Sequence, residues 1–192
     1  AQLNFRLGDF EFNVAAIVDA YEESVRQDAD VAVFSELAVC GYPPEDLLLK
    51  QRFIEEAHAA VEHIAAQCSD TVAIVGFPER EGQQLYNSAA VCHQGEIAGI
   101  YRKQLLPNYS VFDEKRYFTP GTSAGPIFQI ADVTVGISIC EDLWFDNGPL
   151  DTQIASGAGL VISLNASPYQ QGKDASRSSA ILERLVDHGL PA

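Results

Sequence analysis

Apolar residues at Phe10, Val14, Ile17, Val18, Tyr21 and Val25 recur at three and four positions, which places one apolar stripe along a helix. The spacing predicts a first helix ending near Gln27. The run Val31-Ala32-Val33-Phe34 then has no polar alternation, as expected of a strand covered on both faces, and it stops at Ser35-Glu36. Phe53, Ile54, Ala57, Val61, Ile64 and Ala65 repeat the helical pattern ahead of a second apolar run, Thr71 to Phe77. Turn signals at Arg80-Glu81-Gly82 and His93-Gln94-Gly95 flank Tyr86 to Val91 and precede Ile97 to Tyr101, predicting antiparallel pairing.

From Pro107 to Gly125 the period is lost while Tyr, Phe and charged residues accumulate. A loop of that length inside a domain is uncommon unless it is functional. Strands are predicted at Ile127 to Ile130, Val133 to Ile139 and Leu160 to Leu164, with a helix at Leu150 to Ala155 and a last one from about Ala175 to His188, closed by Gly189 and Pro191. Helices alternating with strands, and hairpins in the middle, predict an α/β domain with a mixed sheet covered by helices on at least one face. The chain begins at Ala1 and stops at Ala192, where a further strand would be expected, so it is read as a fragment of one domain.

Composition narrows the partners. Against 27 Asp and Glu stand 12 Lys and Arg, a formal charge of −15, which repels a nucleic-acid backbone or an anionic membrane over most of the surface. No apolar stretch approaches the ~20 residues of a membrane span, and AQLNFRLGDF has no signal-peptide pattern, so a cytoplasmic location is expected. Cys40, Cys68, Cys92 and Cys140 lie more than twenty residues apart, without a CxxC pair, which argues against zinc and against a disulfide framework.

In α/β sheets ligands gather beyond the carboxyl ends of strands. Three such ends carry reactive or polar groups: Glu36 after VAVFS, Cys140 after VGISI and Asn165 after LVISL. An unpaired cysteine is more often a small core hydrophobe than a nucleophile, and that reading is kept for Cys40, Cys68 and Cys92. Cys140 differs by its place before the polar Glu141-Asp142 turn. Those carboxylates disfavour a resting thiolate, so a nucleophilic Cys140 needs a base. His58, His63, His93 and His188 fall on predicted helix surfaces or a turn, away from strand ends. A carboxylate is left, and Glu36, in the apolar context LAVCGY, would be a better base there than an exposed one. Glutamates after strands mostly begin solvated loops, and lysines mostly face water. Lys103 nevertheless ends a strand at the start of the aromatic loop, where its charge would counter those carboxylates and bind a developing oxyanion.

FSEL with Glu36, YRKQLLP with Lys103 and GISICEDLW with Cys140 together resemble, in order and spacing, the Glu-Lys-Cys triad of the nitrilase superfamily of carbon-nitrogen hydrolases. Within it, SELAVCGYPPEDLLL, KQLLPNYSVFDEKRYF, CEDLW and NASPYQQGK are similar to the glutaminase domains of glutamine-dependent NAD+ synthetases. The resemblance implies an α-β-β-α sandwich with mixed sheets, here incomplete at its C-terminal end, spanning residues 1–192 as one carbon-nitrogen hydrolase domain. It also implies a homo-oligomer, and hydrolysis of the L-glutamine side-chain amide through a glutamyl thioester on Cys140. Glu36 is then the base, Lys103 the oxyanion cation and Glu114 the group that orients the lysine. Tyr42, Tyr109, Phe112, Trp144, Ser167 and Lys173 are implied in the glutamine pocket, although Lys173 stands where some relatives have arginine. No metal or organic cofactor is implied for this step. ATP and Mg2+ belong to a synthetase domain that would accept the ammonia and has no counterpart here. Two alternatives remain: a stand-alone aliphatic amidase or nitrilase-type hydrolase, and an inactive truncated interaction module.

Overall fold

A computed structural model describes residues 1–123, 125–146, 148–169 and 171–187, without the side chains of 173–177, 180 and 187. The first helix, α1 (Phe10–Arg26), starts where the carboxylate of Asp9 accepts the N–H of Phe12 at 3.1 Å, filling one of the donors a helix start leaves unpaired. It is followed by β1 (Val31–Val33), α2 (Gln51–Gln67), β2 (Val72–Glu81), β3 (Gln84–His93) and β4 (Glu96–Arg102). β1 and β2 are parallel, the next two pairings antiparallel, and the order is β1-β2-β3-β4.

β2 runs four residues past the predicted end at Phe77, and the turn tightens to Gly82-Gln83. Glu79 and Glu81 stay in the ladder there because each is paired. Glu79 accepts from Ser88 at 2.8 Å and from Arg102 at 2.7 Å, and Arg102 also reaches Glu81.

A second sheet, order β5-β6-β7, is formed by β5 (Phe128–Ile130), β6 (Val133–Ile139) and β7 (Leu160–Leu164), with β6 and β7 parallel. The single mixed sheet expected from element order is therefore two sheets, the sandwich that the family resemblance implies. The reason lies in β2. Ala73, Val75 and Phe77 join the core beneath α1 and α2, whereas Val72 and Ile74 join Ala89, Val91 and Tyr101 against Val135, Ile137, Ile139 and Leu164 of the other sheet. A sheet apolar on both faces needs a layer on each.

The helix α3 (Leu150–Ala155) lies on β6. Its Gln153 donates to the carbonyl of Ile137 at 2.6 Å and fills the space above Gly136. The last helix, α4, spans Lys173–Asp187, and its predicted closure at 188–191 falls outside the described residues. Among the described residues no helix is long and apolar enough to cross a membrane. The aromatic segment after β4 is a loop, as expected, with one short 3-10 turn at Glu114–Arg116. It is held to the first sheet where Thr119 donates to Leu85 and Gly121 to Lys103.

Candidate active site

Glu36 leaves β1 on a tight turn. Leu37 adopts φ +52°, a left-handed conformation unfavourable for a branched side chain, and the turn closes through Gly41 N–H to Leu37 C=O at 2.9 Å. The turn presses on β2 at Gly76, where an added Cβ would lie 2.5 Å from both the nitrogen of Leu37 and the carbonyl oxygen of Ser35. Glycine is required by this close approach. Glu36 is thereby turned inward and is 2% exposed.

Lys103 immediately follows β4, with its backbone N–H on the carbonyl of Asn87 at 2.8 Å. Its ammonium donates to Glu36 Oε1 at 2.7 Å and to both oxygens of Glu114 at 2.9 Å, and all three side chains are buried. Burial pulls the ammonium toward deprotonation, but Glu36 and Glu114 outweigh it and hold Lys103 above the ordinary lysine range. Glu114 is pushed up to about 7 by burial and by Glu36, against the opposing pull of Lys103. Tyr42 donates to Glu114 Oε1 at 3.2 Å, and burial with the two carboxylates keeps its phenol protonated.

Cys140 ends β6 with φ +45° and opens a 3-10 turn, Cys140–Leu143. A non-glycine residue in that conformation is strained by roughly 1–3 kcal/mol, a feature that clusters at functional sites. Its Sγ lies 3.2 Å from Ser167 Oγ. Burial, then the charge of Glu36, push the thiol up to about 12, although Lys103 and the Ser167 contact pull the other way. The neighbouring residue Ala166 donates its N–H to Glu36 Oε2 at 3.2 Å. Two consecutive residues after β7 thus hold the nucleophile candidate and the base candidate.

A cavity of about 500 Å³ lies beside these groups, lined by Ser35, Glu36, Tyr42, Trp144, Asn165 and Ser167 among others; Cys140 and Lys103 are not part of its lining but adjoin it through Ser167 and Glu36. Phe112 is not part of this lining; it borders a neighbouring cavity of about 260 Å³ that shares Tyr42 as a wall and is also bordered by Glu114. Tyr109 is half exposed, packs edge-on against Phe112 and donates its hydroxyl to Glu141 at 2.9 Å. The side chain of Lys173 lies outside the described residues. The three remaining thiols are buried and free; Cys40 and Cys68 donate to backbone carbonyls. His58 packs on Phe77 and accepts the N–H of Arg80, away from this cavity.

Sequence reasoning missed Asn87. It lies on β3 and donates to Glu36 Oε1 at 2.8 Å and to Glu114 Oε2 at 3.5 Å, bracing both carboxylates around the lysine. The available signal was a bare amide inside LYNSAA, since an amide inside an apolar strand is kept only where it is paired.

The carbon-nitrogen hydrolase family model matches residues 1–181. The chain is 44% identical over 191 residues to a glutamine-dependent NAD(+) synthetase of Xylella fastidiosa, covering 98% of this chain and 35% of that protein. The chain therefore spans about a third of the length of the curated relatives it matches. Among solved structures, the ADP complex of glutamine-dependent NAD+ synthetase from Acinetobacter baumannii superposes with a TM-score of 0.93 at 35% identity, over 99% of this chain and 36% of that one. An amidase from Nesterenkonia sp. superposes at 0.85 with 23% identity, over 98% of this chain and 71% of that one, a likeness of fold. Family model, relatives and geometry agree, and the chain belongs to the carbon-nitrogen hydrolases.

Proposed function

We propose that this chain is a glutamine amidohydrolase domain that supplies ammonia to a synthetase domain forming NAD+. The observation that carries the reading is the pairing of Ala166 with Glu36 and of Ser167 with Cys140, beside a carboxylate whose counterion is the buried Lys103. Glutamine as the substrate is supported by the relatives, whose names specify it, and by a cavity in the size range of small-molecule sites.

In this mechanism the Cys140 thiol gives its proton to Glu36 as Sγ attacks the side-chain amide carbon of L-glutamine. Lys103 and the backbone N–H of Glu141 bind the oxyanion, each such donor being worth about 3 kcal/mol. Glu36 returns the proton to the departing nitrogen, ammonia leaves, and a glutamyl thioester remains. Water, deprotonated by Glu36, then attacks the thioester carbonyl, and glutamate and the thiol are released. Glu114 acts through Lys103 by fixing its direction. Tyr42, Trp144 and Ser167 shape the cavity, with Tyr109, Phe112 and Lys173 assigned to substrate recognition from the family pattern. No metal or cofactor takes part in this step; ATP and Mg2+ serve the ammonia-accepting domain, and the assembled enzyme is cytoplasmic and homo-oligomeric.

The test is release of ammonia and glutamate from L-glutamine by this chain, lost in Cys140→Ala. Hydrolysis of short aliphatic amides with glutamine left untouched would instead identify a stand-alone amidase. Failure of both, together with failure of a glutamine-like electrophile to add its mass at Cys140, would leave an interaction module.

A further inference from the structure

The carboxylate of Asp142 is fully buried and accepts four hydrogen bonds. Oδ2 accepts from the N–H of Ile139 at 3.0 Å and from the hydroxyl of Tyr101 at 2.7 Å. Oδ1 accepts from the N–H of Gln104 at 3.1 Å and of Leu105 at 2.8 Å. The positions of these donors form a pattern. Ile139 immediately precedes Cys140, and Asp142 follows it by two residues. Tyr101 precedes Lys103 by two residues, and Gln104 and Leu105 follow it directly.

One side chain, rooted two residues after the nucleophile candidate, therefore holds the backbone just before it, the backbone just after the lysine and the Tyr101 hydroxyl from the strand that leads to the lysine. These two residues directly follow strands of different sheets, whose facing surfaces meet through apolar side chains, which fix separation less sharply than directed hydrogen bonds. Charged acceptors bind their donors about twice as strongly as neutral ones, so the bracket is stiff. It also holds a turn that would relax, since Cys140 sits at φ +45° and is favoured there only while its surroundings enforce it. Gly148 adds to the constraint: a Cβ there would clash with the carbonyl oxygen of Asp142, so the backbone after the turn packs directly onto it.

We infer that Asp142 is a positioning residue that sets the distance and angle between Cys140 and Lys103 by tying the end of β6 to the end of β4. The kinetic consequence rests on the glutaminase reading above. Misplacement of reacting groups by about 1 Å lowers rates on the order of 100-fold, whereas substrate affinity, carried by the cavity walls, is spared.

Asp142→Asn is the sharpest probe. The Oδ1 contacts to Gln104 and Leu105 can persist, while the new amide nitrogen meets the Ile139 N–H donor to donor, loosening the nucleophile side. With L-glutamine as substrate, kcat should fall about 100-fold and KM stay within about threefold. Tyr101→Phe, which keeps the ring between the sheets and removes one donor, should lower kcat by about fivefold in the same pattern. Iodoacetamide supplies the readout independent of glutamine. Loosening the turn should speed its reaction at Cys140 by about tenfold in Asp142→Asn, with Cys40, Cys68 and Cys92 unchanged. Equal acceleration at all four thiols would mean general unfolding and would overturn the inference, as would a kcat and a Cys140 reactivity both within twofold of the parent in folded Asp142→Asn. If the parent hydrolyses no glutamine, the glutaminase reading fails on its own, and selective acceleration at Cys140 still decides the bracket.

Discussion

The ammonium of Lys103 lies 2.7 Å from Oε1 of Glu36, and neither side chain reaches water. With Glu114 also on the ammonium, the cluster holds two carboxylates and one cation in the interior. Removing one member of a buried ionic group leaves the others unbalanced and typically costs about 3–5 kcal/mol. Lys103→Met should therefore abolish glutamine turnover and destabilise the fold by about 3 kcal/mol at pH 8. Near pH 5 the loss should shrink, because a carboxylate without its cation takes up a proton instead. Urea unfolding of both proteins at the two pH values measures this; an equal loss at both would contradict it.

Glu114 gives a second pH signature. Its carboxyl is raised from 4.5 to about 7 by burial and by the charge of Glu36. A group whose folded pKa is raised binds its proton more tightly when folded, so its contribution to stability is full below about 4.5 and is lost as pH climbs through about 7. Glu114→Gln cannot titrate, yet can still accept from Lys103 and Tyr42. The expected result is a flatter dependence of the urea midpoint on pH between these values in the variant than in the parent. A steeper dependence in the variant would reverse the assigned direction.

How far the sequence led can be judged from these residues. Among the described residues, apolar patterning and turn signals located the four α-helices and seven strands because each carries one or two apolar faces, and β-strand ends marked Glu36, Cys140 and Asn165 as neighbours. It did not separate one sheet from two, since Val72 and Ile74 are as apolar as Ala73 and Val75 and their different partners lie far along the chain. Asn87 and Asp142 escaped for a related reason: their roles come from what crosses to them from other strands. Phe112, assigned to the glutamine pocket by resemblance, lines the cavity of about 260 Å³ that shares Tyr42 with the one lined by Glu36 and Ser167.

Gly76 shows how the proposed base, Glu36, is placed by a residue without a side chain. The atoms a Cβ would meet are backbone, and they belong to the turn that carries Glu36, so they cannot swing aside. Gly76→Ala should destabilise the fold by about 1–3 kcal/mol, as overpacking generally does. It should also lower kcat by at least tenfold, through displacement of Glu36 from Lys103 and Ala166. Thermal unfolding and steady-state kinetics check both parts; a stable variant with unaltered kcat would show that the turn tolerates the shift.

The thiol supplies the last prediction. With its thiol pushed up to about 12 by burial and the charge of Glu36, Cys140 rests protonated at pH 7, whereas an ordinary cysteine is a few per cent thiolate there. The proposed catalysis near neutrality then needs a base that removes the proton during attack, the role assigned to Glu36. Iodoacetamide, which reads the resting thiolate, should modify Cys140 about tenfold faster for each pH unit from 7 to 10, with no plateau. Glutamine hydrolysis should stay nearly level from pH 7 to 9. Glu36→Gln separates the two behaviours, because the charge of Glu36 is one of the causes that raise the thiol. Its loss should accelerate alkylation while glutamine turnover stops. A plateau in alkylation near pH 7 would mean that Cys140 rests as a thiolate and needs no base, and slower alkylation in Glu36→Gln would mean that the charge of Glu36 does not hold the thiol up.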